Sequence, residues 1–476
     1  MGTYTIQQVL IPVGQGYETI DVQIEGEAIA AIAPHLEPTG TVIDGRNKLL
    51  LPGFVNAHTH SSELWQRGSI APLPLELWLG ELCDFPLLDP EQVYLSALGT
   101  AVETLLSGGT TVVDHLTLIP GQEKETVAAA VRGYQEVGIR AFVGPLIQDQ
   151  SLTTSLPTGG EMRTHVPHYM SLQDNLDLMA DLVANFHRPE AGMNIMLAPT
   201  GPQLCSNALL TGCVELSDRH SLCRHTHLLE SKAQQMLAYE KYGCSAAEQL
   251  QRLGFLGDRT SLAHCVWLDA ADIAILAATH STVVHNPLSN LRLGSGIAPI
   301  LKYRQAGVNV TFGCDGSASN DSQDVLEAIK LGCILHNTTD FDYRHWITPK
   351  DAIHMATLGG ATGLNLADQI GSLTVGKKAD LALYNLTNLS LLPRTDPIGL
   401  LVLGRPTQVV DSVWVNGRLV VQQGEMATLD VATLRQELFD RSQWDGIGLP
   451  GQSAYRHSPL RQEMEAPYRR VMGLPK

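Results

Sequence analysis

Between about residues 52 and 337 the chain repeats one pattern eight times: a short apolar run of strand length, then a longer stretch with apolar residues at helical spacing. The runs are 53–60 (GFVNAHTH), 110–115 (TTVVDH), 139–146 (IRAFVGPL), 193–199 (MNIMLAP), 222–230 (LCRHTHLLE), 260–266 (TSLAHCV), 282–286 (TVVHN) and 308–315 (VNVTFGCD). Helical spacing is clearest at 91–106, 172–187, 232–253 and 270–278, with a further helix near 349–362. Eight strand–helix units predict an α/β fold of the (β/α)8 TIM-barrel type, in which chemistry sits where the strands end.

The flanks read differently. Short β-type runs at 5–13, 19–24, 28–32 and 40–43 precede the barrel, and others at 379–384, 409–415 and 418–421 follow it, with Gly417 at a hairpin. Two β-rich ends around one barrel predict a single small sandwich built from both. The expected divisions are 1–52 and 367–424 for the two parts of the sandwich, 53–366 for the barrel, and 425–476 for a polar surface segment carrying Pro450, Pro459, Pro467 and Pro475.

Composition narrows the function. Net charge is −17, from 32 basic against 49 acidic residues, which opposes binding to nucleic acid or anionic membranes. No apolar run reaches membrane-spanning length, and the N-terminus lacks both a signal-peptide pattern and the Ser/Thr of a myristoylation motif, so the reading is cytoplasmic. Eight cysteines stand singly, without a CxxC pair, as expected of reduced thiols, and two of them, Cys265 and Cys314, adjoin the residues considered next.

Run one ends in His58 and His60, run five in His225-Thr226-His227 with Glu230 beyond, run six carries His264, and run eight ends in Asp315. In a strand, residues two apart point to one side, so His58 and His60 present two imidazoles to one point. Packing would fill these positions with apolar or small residues, so their polarity at one barrel mouth predicts a metal site. Imidazoles with one carboxylate suit Zn²⁺, with Fe²⁺ as second choice, rather than Ca²⁺ or Mg²⁺. No lysine stands near the end of run four to be carbamylated, so one metal is expected.

Five ordered motifs, PGFVNAHTH, HTHLLE, LAHCVWLD, HNPLSNLRLGSGIAPI and GCDGSASND, together with GSLTVGKKADLALYNL, resemble the amidohydrolase superfamily along nearly the whole chain. The similarity is to the branch of mononuclear aminohydrolases of purines, pyrimidines, triazines and related heterocycles. It implies His58, His60, His227 and Asp315 as ligands of one divalent metal, Glu230 as proton shuttle and His264 as the residue that orients the nucleophile or polarises the substrate. His225 is then a supporting residue. A bound metal would bring the pKa of water near neutrality. Around the mouth, Trp78, Thr200, His285, Ser289 and Asn290 are candidate substrate contacts, Trp78 alternatively anchoring a helix; Ser317 and Asn320 are candidates for bracing the Asp315 loop.

The expected activity is hydrolytic deamination of a small nitrogen heterocycle by a homo-oligomer. Alternatives are a triazine-type chloro- or alkylamino-hydrolase, a cyclic amide or guanidine-ring hydrolase, a methylthioadenosine or adenosylhomocysteine deaminase, and an inactive binding scaffold. In the nucleoside-acting branch, the segment ending strand four resembles PHxPYxCS, and a Glu for the ribose follows the first-loop Trp by nine residues. Here Thr200 replaces that His and Leu87 stands at the Glu position, which points to sugar-free rings.

Overall fold

A computed structural model describes residues 2–14, 16–83, 85–157, 170–442 and 459–475. Strands β1 (Thr3–Val13), β2 (Gly16–Glu25), β3 (Ala28–Ala33), β4 (Thr41–Asp44) and β5 (Lys48–Pro52) come first. The barrel strands follow: β6 (Phe54–Thr59), β7 (Gly109–Leu116), β8 (Arg140–Ile147), β9 (Met193–Ile195), β10 (Ala198–Pro199), β11 (Arg224–Leu228), β12 (Thr260–His264), β13 (Thr282–His285) and β14 (Val310–Phe312). β6, β7 and β8 pair in parallel, and β9 and β10 both pair with β8, together forming the fourth stave. β11 to β14 form a second parallel set.

Backbone hydrogen bonds join the two sets into a ring. Leu197 N–H donates to Cys223 O at 3.0 Å and His225 N–H to Leu197 O at 2.9 Å; on the far side Asp315 N–H donates to His58 O at 2.9 Å. The run 193–199 is split because Met196 N–H bonds back to Val143 O at 3.1 Å whereas Leu197 turns to Cys223.

Helices start on polar caps. Asp89 and Gln92 form a capping box ahead of Pro90–Leu106, and Ser171 caps Leu172–Phe186. The stretch of helical spacing at 232–253 forms two helices, Lys232–Tyr242 and Ala246–Arg252. Gly243, at φ 69°, ends the first in the left-handed conformation, and Ser245 caps the second. No described helix is long and apolar enough to cross a membrane, and all eight cysteines are free.

The chain ends meet in one nine-stranded sheet. β5 pairs with β15 (Leu381–Asn385), which continues through β16 (Val410–Val415) and β17 (Arg418–Gln422) to β18 (Glu425–Met426). Tyr4 on β1 and Trp414 on β16 have ring centroids 6.0 Å apart, although β5 and β15 lie between their strands. In a flat sheet three strand spacings would separate them by about 14 Å, so the sheet folds over on itself as a sandwich. Ile6, Val22, Ile24, Leu50, Leu383 and Trp414 fill the space enclosed. The Gly417 turn closes it: a Cβ there would lie 1.9 Å from Gly26 O.

Arg140 at the base of β8 grips Asp380, just before β15, with Nη2 2.9 Å from Oδ1 and Nε 3.2 Å from Oδ2. The side chains are 2% and 1% exposed. Removing one member of a buried pair strands the other charge at a cost of about 3–5 kcal/mol, against about 0–1 kcal/mol for a surface pair. Asp380→Ala is therefore expected to lower the denaturant midpoint substantially, whereas Arg132→Ala, which breaks the exposed pair with Glu91, leaves it nearly unchanged. Equal shifts in the two unfolding curves would show that the Arg140 pair does not tie barrel to sandwich.

The C-terminal stretch differs from a polar wrapping. Its helix Pro459–Val471 buries Met464 completely, because the helix lies on apolar residues of the barrel-mouth loops. Pro450 falls outside the described residues.

Candidate active site

Three barrel strands end in strained backbone where the polar residues begin. Leu229 (φ 46°), His264 (φ 71°) and Asp315 (φ 64°) are all left-handed, and none is glycine. Such conformations cost of order 1–3 kcal/mol each and persist where neighbours over-determine them. At Asp315 the neighbours are clear: its carbonyl accepts from Gln323 Nε2 at 2.6 Å and Thr59 Oγ1 at 3.0 Å. Gln323 is fully buried and its Oε1 also accepts from Asn56 Nδ2 at 3.0 Å, locking β6 to the Asp315 loop. Nothing in its loop sequence distinguishes Gln323; only closure of the barrel gives it a role.

The imidazoles converge. His60 Nδ1 lies 2.6 Å from His115 O, His227 Nδ1 lies 2.6 Å from Thr200 O, and their Nε2 atoms face each other at 3.2 Å. A carbonyl can only accept, so each Nδ1 carries the proton and each Nε2 a lone pair. Two lone pairs at that separation repel unless a cation stands between them. A proton is disfavoured there, because burial drives the His227 pKa down to about 3. His58 Nε2 has no hydrogen-bond partner and lies 3.3 Å from Asp315 Oδ1, itself 3.4 Å from His60 Nε2. Burial likewise drives His58 well below the usual imidazole range. Neutral nitrogens with one carboxylate are the donors that a divalent metal of the zinc type requires, so the residues fit such an ion.

His225 stands behind this group. Its Nε2 is 2.8 Å from His58 Nδ1 and its Nδ1 2.7 Å from Ser261 Oγ, so both nitrogens are engaged. His115, overlooked among the sequence candidates, stacks on His227 with centroids 4.8 Å apart, while its Nε2 lies 2.9 Å from Ala198 O. His58, His60, His115 and His227 each offer a nitrogen to a cluster within 4.8 Å, as do His58, His264 and Asp315. The signal for His115 was present in the Asp-His that ends run two.

Burial, and after it the charges of Asp315 and Glu76, raise Glu230 well above the usual carboxyl range, although Ser295 Oγ donates to it at 3.2 Å. Burial and these charges both favour the protonated form of Glu230. Burial would raise Asp315 too, but its contact with His58 and the neighbouring His264 and His60 hold it well below the usual range, as an anion. His264 Nδ1 bonds Asn290 Oδ1 at 2.9 Å, which leaves its Nε2 3.6 Å from Glu230 Oε2 and 3.8 Å from Asp315 Oδ2. Asp114 accepts from Ser61 N–H, Ser61 Oγ and Tyr134 Oη at 2.9, 2.6 and 2.8 Å, pinning the turn that follows His60.

Glu63 was also overlooked. One of its oxygens accepts from Ala318 N–H at 3.1 Å, and burial raises its pKa from 4.5 to about 7. A carboxyl raised on folding keeps its proton while the unfolded chain has lost it. Its contribution to stability thus declines as pH climbs from about 4.5 to about 7 and is flat above, by up to about 3 kcal/mol. Glu63→Gln in metal-free protein should raise the melting temperature at pH 8 and flatten its pH dependence over that window. A variant that retains the wild-type pH slope would assign the slope to another group.

The remaining candidates divide. Trp78 is 3% exposed on the helix Leu75–Leu82 and packs with Leu293 and Ala318, beside the mouth; its Nε1 has no described partner. Asn290 reaches the group through His264. Thr200 contributes its carbonyl to His227, but its hydroxyl donates to Ile147 O at 3.2 Å. His285 turns to His336, with Nε2 atoms 3.2 Å apart, and to Phe312, and Ser289 Oγ bonds back to Asn286 O at 3.4 Å. Ser317 Oγ accepts from Arg67 at 3.1 Å and Asn320 N–H donates to Gly316 O at 2.9 Å, within the Asp315 loop. Leu87 is 70% exposed.

Residues 49–420 match the model of a family described as amidohydrolase. The chain is 31% identical over 433 residues to a 5-methylthioadenosine/S-adenosylhomocysteine deaminase of Caldanaerobacter subterraneus, covering 90% of this chain and 94% of the relative. It is 32% identical to an 8-oxoguanine deaminase of Pseudomonas aeruginosa, covering 86% and 90%. Among solved structures, an atrazine chlorohydrolase from Arthrobacter aurescens complexed with zinc superposes with a TM-score of 0.85 at 25% identity, over 92% of this chain and 100% of that one. An adenosine deaminase from Xanthomonas campestris with bound zinc gives 0.82 at 26% identity, over 92% and 98%.

Proposed function

The chain belongs to the amidohydrolase family, and from that premise we propose that it is a metal-dependent aminohydrolase of a small nitrogen heterocycle. Overall, water adds to an amidine-type ring carbon, its C–N bond to the amino group breaks, and an oxo ring and ammonia or an amine result. The observation that carries this reading is the set of bare imidazole nitrogens and ionised Asp315 close to Glu230, whose burial favours the protonated carboxyl.

His58, His60, His227 and Asp315 would hold one divalent ion, zinc ahead of iron, and a bound ion supplies activated water at neutral pH. Asp315, held anionic, accepts a hydrogen bond from the attacking water and orients it. Glu230 passes its proton to the ring nitrogen beside the carbon under attack and, once reprotonated by the water, to the departing amine, then takes back the proton that the added hydroxyl sheds as the oxo group forms. His264, fixed by Asn290, turns a bare Nε2 towards the same space and steadies the nucleophile. The 3% exposure of Trp78 and Glu230 keeps bulk water away from these transfers.

The preferred substrates are sugar-free rings, oxopurines, hydroxytriazines or cyclic guanidine-like compounds, because the Thr200 hydroxyl is already bonded to backbone. An unpaired polar group in a closed site costs about 1–3 kcal/mol. The test is a panel with zinc-reconstituted protein, reading ammonia, amine and chloride separately. We expect higher kcat/KM for free rings than for adenosine, methylthioadenosine or adenosylhomocysteine. A nucleoside as best substrate would overturn the ring preference, and chloride release would select the chlorohydrolase reading. We further expect a homo-oligomer in sedimentation.

A further inference from the structure

We propose that the C-terminal helix is a strap, and that Met464 and Arg461 are positioning residues which seat the mouth-covering helix Leu75–Leu82 against the active site. That covering helix stands between two packed layers. On one face Leu77 joins Met464 in a cluster with Leu152, Leu156, Leu204 and Ala233. Leu152, Leu156 and Leu204 come from the segments after β8 and β10 and Ala233 from the first turn of the helix after β11, so one methionine from the far end of the chain sits where three strand-to-helix connections and the covering helix meet. Met464 is fully buried.

Two further contacts fix the helices together. Arg461 Nη1 donates to Glu81 Oε1 at 2.9 Å, with the Glu81 side chain 4% exposed. Gly80 permits close approach: a Cβ there would lie 3.1 Å from Arg461 Cα. The helices therefore touch backbone to backbone, an arrangement that transmits displacement rather than absorbing it.

On its other face the covering helix meets the site. Trp78 and Leu75 pack with Ile70, Leu293 and Ala318, and Ala318 lies three residues beyond Asp315. Glu76 accepts from the hydroxyl of Ser231, the residue next to Glu230. Contacts to Asp315 and Glu230 thus run through one short helix that the strap backs. The histidines stand at barrel strand ends, while Glu230 and Asp315 lie in the loops just beyond, where Ser295 holds the first and Thr59 with Gln323 the second without the strap. Loosening it should weaken substrate retention and leave the chemical step intact.

The experiment uses the full-length, zinc-loaded chain with Met464→Asp, the milder Arg461→Gln, and Met464→Leu as a volume-conserving control. Hydrogen exchange is measured first and needs no substrate. In Met464→Asp the amides of 75–82 should exchange about tenfold faster or more, while those of 58–60, 225–230 and 264 keep wild-type rates. With the best-hydrolysed member of the panel, KM should rise about tenfold with kcat nearly unchanged, and Met464→Leu should restore it. Unchanged exchange at 75–82 overturns the proposal, as does a fall in kcat at constant KM. If Met464→Asp accelerates exchange everywhere, Arg461→Gln decides by the same two readings. The consequence for KM rests on the aminohydrolase reading, whereas exchange tests the strap alone; accelerated exchange without turnover of any panel member would sink only the former.

Discussion

Glu230→Gln is expected to bind metal as the native protein does, unfold at nearly the same temperature, and lose about 10²–10⁴-fold in kcat. The amide is nearly isosteric and can accept Ser295 Oγ as the carboxyl does at 3.2 Å, so the pocket is unperturbed. What it lacks is a transferable proton. In native Glu230 burial, reinforced by the charges of Asp315 and Glu76, disfavours the anion and so favours the carboxyl that carries one. Metal content by elemental analysis separates loss of the shuttle from loss of the ion. A variant with full metal and turnover within a few-fold of native would remove Glu230 from the mechanism.

The second large effect distinguishes two histidines two residues apart. His227→Ala should emerge from dialysis with little metal, because it deletes the nitrogen that faces His60 Nε2 at 3.2 Å. His225→Ala should still bind close to one equivalent, with affinity lower by roughly 10–100-fold, the usual cost of losing a group that orients a ligand. Its bond to His58 Nδ1 at 2.8 Å is such a contact, and its own Nδ1 is taken by Ser261. Zinc stoichiometry and titration against a chromophoric chelator read both quantities. Equal metal loss in the two variants would mean that His225 is itself a ligand or that removing it collapses His58.

Much of the site was legible because its residues sit on strands. A period of two and a strand end are local properties, and they put His58, His60, His227, His264 and Asp315 at one mouth without reference to any tertiary contact. Apolar runs and amphipathic segments likewise determine eight strand–helix units and two β-rich ends, since each reflects which face of a local element avoids water.

Other features depend on which distant segments meet. Gln323 and Glu63 are ordinary loop residues until barrel closure buries them against the Asp315 loop. His285 was a reasonable mouth residue by position, yet its ring pairs with His336, 51 positions away. Met464 looks like an isolated apolar residue in a polar segment, and only packing against loops from three strands makes it core. Sequence alone determined the barrel, the folded-back end sheet and the convergence of imidazoles and a carboxylate. Tertiary structure alone decided which nitrogens carry protons, which acids stay protonated and what covers the mouth, because hydrogen-bond partners and desolvation are set by neighbours far apart along the chain.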